Sequence, residues 1–103
     1  MARRKKELTV EQQTYIARLM KHIEPLRQAA GLSQVQLAEK VGMSKPAYAL
    51  ALRNKEISWK TFLALMFFFD HNDQTHKKIR EMEIFPAEFL NKSIQEERVE
   101  FGS

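Results

Sequence analysis

Two short helix patterns lie close together between residues 31 and 55, in the sequence GLSQVQLAEKVGMSKPAYALALRNK. Ser33 with Gln36 three residues later matches a capping box, which predicts that the first helix begins at Gln34. Four apolar residues then fall at helical spacing, and these are Val35, Leu37, Ala38 and Val41. Gly42 follows, where a left-handed residue closes a helix at least cost. The first helix is therefore predicted to end after about two turns.

The second helix of the pair is predicted to start after Ser44, which is a good N-cap, with Pro46 tolerated in the first turn. Asn54 is expected to close it. Its inward stripe consists of Tyr48, Ala51 and Leu52, and its outer face consists of Lys45, Pro46, Ala47, Ala49, Leu50 and Arg53. This outer ridge is narrow enough for a DNA major groove, which is about 12 Å wide. The second helix is the proposed reading element.

This part of the sequence resembles the Xre/Cro-type helix-turn-helix domains of phage repressors and small bacterial regulators. The resemblance runs from about residue 26 to residue 69. It is carried by Arg27, Gly31-Leu32-Ser33-Gln34, Leu37-Ala38, Val41-Gly42 and Ser44. The family binds double-stranded DNA, usually as a dimer. The resemblance implies phosphate contacts by Gln34, Lys40, Ser44, Arg53 and Lys55, and places Lys45, Pro46, Ala47 and Leu50 against the base edges.

Two features depart from the family pattern. Leu52 stands where the family usually has a glutamate that pairs with the arginine at Arg27, so that ion pair cannot form here. Since a stranded charge is costly, Arg27 is expected to reach solvent, a phosphate, or another acid such as Glu39 or Glu56. The base-facing positions are also unusually apolar. Apolar side chains recognise the thymine methyl group, which leaves Lys45 as the main hydrogen-bonding reader and predicts modest or partly shape-based selectivity.

Composition favours one small intracellular domain. A chain of 103 residues with 44% hydrophobic residues can bury a single core, and the absence of cysteine excludes disulfides and thiolate metal sites. The longest apolar run, residues 62–69, is far too short to span a bilayer, and no signal-type segment follows the basic N-terminus. We expect a cytoplasmic protein that neither enters membranes nor is secreted.

Positive charge is concentrated in the first part of the chain. Residues 1–60 contain 12 Lys or Arg against 5 Asp or Glu, whereas residues 61–103 contain 5 against 8. A one-sided positive surface attracts a polyanion, so this asymmetry favours nucleic acid as the partner. The densest basic run is Arg3, Arg4, Lys5 and Lys6. It is either an arm that follows the DNA backbone or enters a minor groove, or a solvated terminus.

Further helices flank the central pair. A capping box at Thr9 opens a helical pattern over residues 10–30, which is either one long helix or two shorter ones. Pro25 predicts a kink or break near residues 22–24. The part before it is expected to pack on the C-terminal region. Ser58 caps a fourth helix, residues 59–69, with Phe62, Leu65, Met66 and Phe69 predicted in the core.

A polar turn at residues 70–74 precedes a fifth helix over residues 75–84 and a sixth from Pro86 to about residue 98. Apolar residues beyond one core's needs predict a dimer contact, with the candidates Phe67, Phe68, Phe85, Phe89 and Leu90. Burial by the same chain is the alternative.

Enzymatic and metal-binding functions find little support. His71 and His76 in the loop DHNDQTH are five residues apart, which is not the spacing of a paired-histidine site on a helix. A solvated turn that caps the next helix explains this loop better. The three glycines form no phosphate-binding loop, and no catalytic constellation, metal site or cofactor is expected.

The sequence thus predicts an all-α, compact domain of five to six helices. Residues 1–8 would form a basic arm, 9–70 the helix-turn-helix domain, and 71–103 a helical extension that packs on the core or forms the dimer contact. The predicted function is a sequence-selective regulator, most simply a repressor, that binds a pseudo-palindromic operator on double-stranded DNA as a homodimer. The alternative is a protein-interaction module, or an antitoxin or controller that binds a polypeptide partner through its apolar helix surface.

Overall fold

The computed structural model describes residues 8–84, and within this range the only regular secondary structure is helical. Five helices follow one another in sequence, and they are α1 (Val10–Ala29), α2 (Gln34–Lys40), α3 (Lys45–Asn54), α4 (Trp59–His71) and α5 (His76–Glu81). The all-α prediction is confirmed. The predicted sixth helix lies outside the described residues.

Helix α1 is a single element of 20 residues that begins at the predicted capping box. The Thr9 hydroxyl accepts a hydrogen bond from the Gln12 backbone N–H at 3.0 Å, and the Gln12 side chain accepts one from the Thr9 N–H at 2.9 Å. Of the expected kink or break near Pro25, the break is wrong, because one long helix continues to Ala29 with this proline inside it. Pro25 is exposed, whereas the residues on either side of it, Ile23 and Leu26, are buried. We attribute the continuity to this packing, which outweighs the local cost of one lost backbone bond.

Helices α1, α4 and α5 pack against one another around the core. The fully buried side chains of α4 are the predicted ones, Phe62, Leu65, Met66 and Phe69, and α1 buries Ile16, Leu19, Met20, Ile23 and Leu26. The expectation that early α1 packs on the C-terminal region is supported within the described residues. The Arg18 guanidinium donates to the Glu83 carbonyl oxygen at 3.3 Å, and Ile84 is completely buried.

Asp70 is the main correction in this part of the fold. It was expected in a solvated turn, but α4 continues through it to His71, and its side chain is only 3% exposed. The carboxylate accepts two hydrogen bonds from the Arg80 guanidinium, at 2.8 and 2.9 Å. A buried carboxylate requires such a partner, so the pair fixes α5 on α4.

Helix α5 is also shorter than the predicted range of residues 75–84. Thr75 stands at its N-cap position but does not cap it. Instead, the buried Thr75 hydroxyl donates to the Phe69 carbonyl oxygen at 2.7 Å, which satisfies a carbonyl at the end of α4.

Candidate DNA interface

Helices α2 and α3 form the predicted pair, joined by residues 41–44. The Ser33 capping box is present, and Ser44 caps α3 by accepting the Ala47 backbone N–H at 3.2 Å. Gly42 has φ of 77°, and a Cβ added there would meet nothing within 4 Å. The turn therefore needs glycine for its backbone conformation rather than for space. The Met43 N–H donates to the Ala38 carbonyl oxygen at 2.8 Å and closes the turn.

The side chains of α2 divide as predicted with one exception. Leu37 and Ala38 are buried and Val41 is half-buried, but Val35, expected on the inward stripe, is 39% exposed. The short helix turns its first residues toward solvent, so Val35 lies outside the core.

The outer face of α3 is open to solvent. All of the residues predicted on it are exposed, namely Lys45, Pro46, Ala47, Ala49, Leu50 and Arg53. Leu50 is 50% exposed, whereas Tyr48 and Ala51 on the opposite face are buried. The geometric requirement for a reading helix is therefore met, since the ridge is uncovered by any described part of the chain.

Four exposed cations lie on this ridge or close to it in the sequence. Lys40 ends α2, Lys45 and Arg53 lie on α3, and Lys55 follows it; all four are exposed. Within residues 8–84 none of them forms a salt bridge. Their charges are thus not neutralised by a described neighbour and can act on an anionic partner.

The left-handed residue that closes α3 is Lys55, directly after the helix, and not Asn54 as expected. It adopts the left-handed conformation with φ of 58°, and its N–H donates to the Ala51 carbonyl oxygen at 2.7 Å. Asparagine is the more common residue in this conformation, which is why Asn54 was expected. The helix runs one residue further and places a lysine in a strained backbone state.

Arg27 has a partner that the sequence analysis did not consider. Its guanidinium donates to both carboxylate oxygens of Glu24, at 2.9 and 3.2 Å, and to the Leu32 carbonyl oxygen at 2.6 Å. Of the expected alternatives, pairing with another acid is confirmed, but that acid is Glu24 and not Glu39 or Glu56. The family's pair between helices is replaced by a pair within α1. The available signal was the spacing of three residues, at which side chains on one helix face meet.

Glu24 also binds α2 and α3. It accepts the Tyr48 hydroxyl at 2.8 Å and the Gln34 side-chain amide at 3.1 Å. Hydrogen bonds from Arg27, and also from Tyr48 and Gln34, lower the pKa of Glu24 below its usual value of 4.5, although burial opposes them. Burial and the bond to Glu24 raise the pKa of Tyr48. Glu24, Arg27, Gln34 and Tyr48 are called the Glu24 cluster below.

Two residues expected at phosphate-contacting positions have internal roles. Gln34 is half-buried and gives one amide N–H to Glu24, while the Ser44 hydroxyl caps α3. Lys40, Arg53 and Lys55 have no such internal side-chain bond among the described residues. The residues expected at phosphates thus differ: Gln34 and Ser44 make side-chain bonds within the fold, whereas Lys40, Arg53 and Lys55 are exposed.

The candidates for a dimer contact are only partly described. Phe67 is 39% exposed, with its ring 4.2 Å from that of His71, and Phe68 is half-buried against the core. Phe85, Phe89 and Leu90 lie outside the described residues, as do the four residues of the basic run, Arg3, Arg4, Lys5 and Lys6.

His71, the last residue of α4, and His76, the first residue of α5, each place Nδ1 near a backbone carbonyl. His71 Nδ1 lies 2.9 Å from the Phe67 carbonyl oxygen, and His76 Nδ1 lies 2.7 Å from that of Asp70. Residues 8–84 contain no group of three side chains that could hold a metal ion. No helix in this range is long and apolar enough to cross a membrane.

A comparison with known protein families identifies the segment that contains α2 and α3. The helix-turn-helix family model matches residues 23–65, which cover the end of α1, the α2 and α3 pair, and the first part of α4. The matched segment is a DNA-binding domain, and its family is one of regulators rather than enzymes. This match agrees with the resemblance of the segment to Xre/Cro-type helix-turn-helix domains. No curated protein and no solved structure matched the chain.

Proposed function

We propose that this protein is a sequence-selective regulator that binds a pseudo-palindromic operator as a homodimer and acts as a repressor. In this proposal α3 enters the major groove, and two copies place their reading helices in successive grooves about 34 Å apart. A repressor needs only to occupy its site, which suits a chain whose described part is one small helical body. From the resemblance to regulators of phages and bacteria, we place it in the cytoplasm as a protein of bacterial or phage origin.

One observation carries the proposal: the outer face of α3 is exposed and bordered by cations without acidic partners in the described structure. An uncovered helix ridge matches the width of the major groove. Unpaired cations beside it attract phosphates and release counterions on binding. The two features together serve DNA better than a neutral or acidic ligand.

The residues divide into two chemical roles. Lys45 approaches guanine O6 and N7, while Pro46, Ala47 and Leu50 contact thymine methyl groups. Gln34, Lys40, Ser44, Arg53 and Lys55 bind phosphates and set the register, with Ser44 donating the hydroxyl proton that capping leaves free. Half-exposed Leu50 gives the largest apolar contact on the ridge.

The dimer contact is proposed to involve the exposed Phe67 on α4 and its neighbour Phe68, with Phe85, Phe89 and Leu90 from the C-terminal part. Exposed aromatic surface is costly in a monomer and is often covered in an oligomer. Sedimentation equilibrium of the wild type and of Phe67→Ser tests this part alone. An unchanged monomer mass for both would reject it.

The function is tested by selecting genomic fragments with the purified protein at physiological salt, followed by a salt titration on the best fragment. We expect a recurrent sequence with two half-sites, and log affinity that falls linearly with log salt. In the salt titration, Lys77→Ala is the control for lysine-to-alanine variants at α3. The substitution removes one positive charge from α5, where the Lys77 side chain is 86% exposed. Selection of no recurrent sequence would reject sequence-selective binding.

A second candidate function is binding of a polypeptide partner, alone or in addition to the operator. The exposed Leu50 and Phe67 favour it, since both present large apolar side chains to solvent. An apolar protein contact should respond little to salt, whereas DNA binding should weaken steeply. The salt titration can be repeated with a polypeptide captured from a cell extract in place of the DNA fragment. Comparing the two salt dependences distinguishes polypeptide binding from DNA binding.

A further inference from the structure

The carboxylate of Glu24 is completely occupied. Each oxygen receives two donors: Oε1 accepts from Arg27 Nη2 and Gln34 Nε2, and Oε2 accepts from Arg27 Nε and the Tyr48 hydroxyl. An ionised carboxylate has about four acceptor positions, so no capacity remains. One side chain of α1 thus holds residues from α2 and α3 together.

This arrangement determines which way the Gln34 amide faces. A carboxylate only accepts hydrogen bonds, so the amide must turn its NH2 group, and not its oxygen, toward Glu24. One N–H is used at 3.1 Å, and the second N–H has no partner among the described residues. A phosphate likewise only accepts, and the second N–H is the group that it requires.

We infer that Glu24 is a positioning residue for DNA binding: its carboxylate fixes the Gln34 amide so that the second N–H is presented to a DNA phosphate. This inference rests on the proposed function. Arg27 neutralises Glu24, so the negative charge does not oppose the approach of the phosphate. The double donation from Arg27 also keeps the carboxylate from rotating away from Gln34.

The test is a double-mutant cycle of Glu24→Gln and Gln34→Ala, measured as affinity for a mixed-sequence DNA duplex at one salt concentration. A mixed sequence suffices because phosphate contacts do not depend on sequence. A glutamine at position 24 both donates and accepts, so the Gln34 amide is free to flip. We expect each single variant to bind about tenfold more weakly, and the double variant to lose no more than either.

Tyr48→Phe is the matched control. It removes one donor from the same carboxylate but leaves the bond between Glu24 and Gln34, so its affinity for the duplex should stay within about twofold of the wild type. A loss as large as that of Glu24→Gln would mean that Glu24 acts only through the fold. Losses that multiply in the double variant, or an unchanged affinity of Glu24→Gln, would also overturn the inference.

A measurement on the wild-type protein covers the case in which Glu24→Gln does not fold. The two side-chain amide protons of Gln34 are separate signals in an isotope-labelled sample. We expect one to keep its position when the duplex is added and the other to move. If neither moves while the duplex binds, the inference fails and the proposed function stands; if the duplex does not bind at all, both fail.

Discussion

Substitutions of Lys55 can separate the effect of its backbone strain on stability from the effect of its charge on DNA binding. This residue ends α3 with φ of 58°, a left-handed state that costs a residue with a Cβ about 1 to 2 kcal/mol. Lys55→Gly removes that cost, but the greater conformational entropy of glycine stabilises the unfolded chain by about 0.4 to 1 kcal/mol. The difference leaves a stabilisation of roughly 0.8 kcal/mol. For a domain of this size it corresponds to a rise in Tm of about 3 to 6 °C.

The same substitution should weaken DNA binding. If Lys55 contacts one phosphate, its loss reduces the slope of log affinity against log salt by roughly 1. Lys55→Ala is the matched control, since alanine keeps the Cβ and hence the strain but also lacks the charge. We expect both variants to bind equally weakly while only the glycine variant melts at a higher temperature.

Thermal unfolding followed by circular dichroism and duplex binding followed by fluorescence anisotropy measure the two quantities on the same samples. A Tm for Lys55→Gly at or below that of Lys55→Ala would refute the strain argument. A salt slope equal to that of the wild type in both variants would refute the phosphate contact.

Three more predictions follow from the interface and the buried charges. Lys45→Ala should relax selectivity at one base pair by about 1 to 3 kcal/mol, measured by competition between single-substitution duplexes, and equal weakening on all of them would argue against base reading. The pKa of Glu24 is lowered in the folded state, so ionised Glu24 contributes its full stabilisation above the usual pKa of 4.5, and this contribution is lost as pH falls through the lowered pKa. Urea titrations at a series of pH values should show this loss of unfolding free energy in the wild type but not in Glu24→Gln. Arg80→Ala should destabilise by about 3 kcal/mol, because it leaves the carboxylate of Asp70, which is 3% exposed, with only His76 Nδ1 at 3.3 Å as a described partner. Asp70→Ala should cost less because Arg80 is 28% exposed, and equal unfolding free energies of the two variants would contradict this.

Local chemistry made the helix starts predictable. Thr9, Ser33, Ser44 and Ser58 each accept the backbone N–H three residues later, as their sequence patterns indicate. Such a cap depends only on residues within one turn, so tertiary packing rarely alters it. The inward and outward faces of α3 were predictable for the same reason, since helical spacing alone separates Tyr48 from its exposed neighbours.

Features that depend on the rest of the fold were not predictable. The continuity of α1 through Pro25 requires the packing of both flanking turns, which no local rule contains. Glu24 receives the hydroxyl of Tyr48 from 24 residues away, and only the assembled helices bring them together. The pairing of Arg27 with Glu24 was within reach of sequence reasoning, because the two lie one helical turn apart, but a remote acid was sought instead.

The position of the Arg27 partner has a consequence for redesign of the protein. Because both charges of the pair belong to α1, α3 carries no acidic group that the fold requires. Its inner residues Tyr48, Ala51 and the half-buried Leu52 pack against the core. The exposed residues of α3 can therefore be substituted to change the preferred DNA sequence, and the pair of Glu24 and Arg27 need not be redesigned.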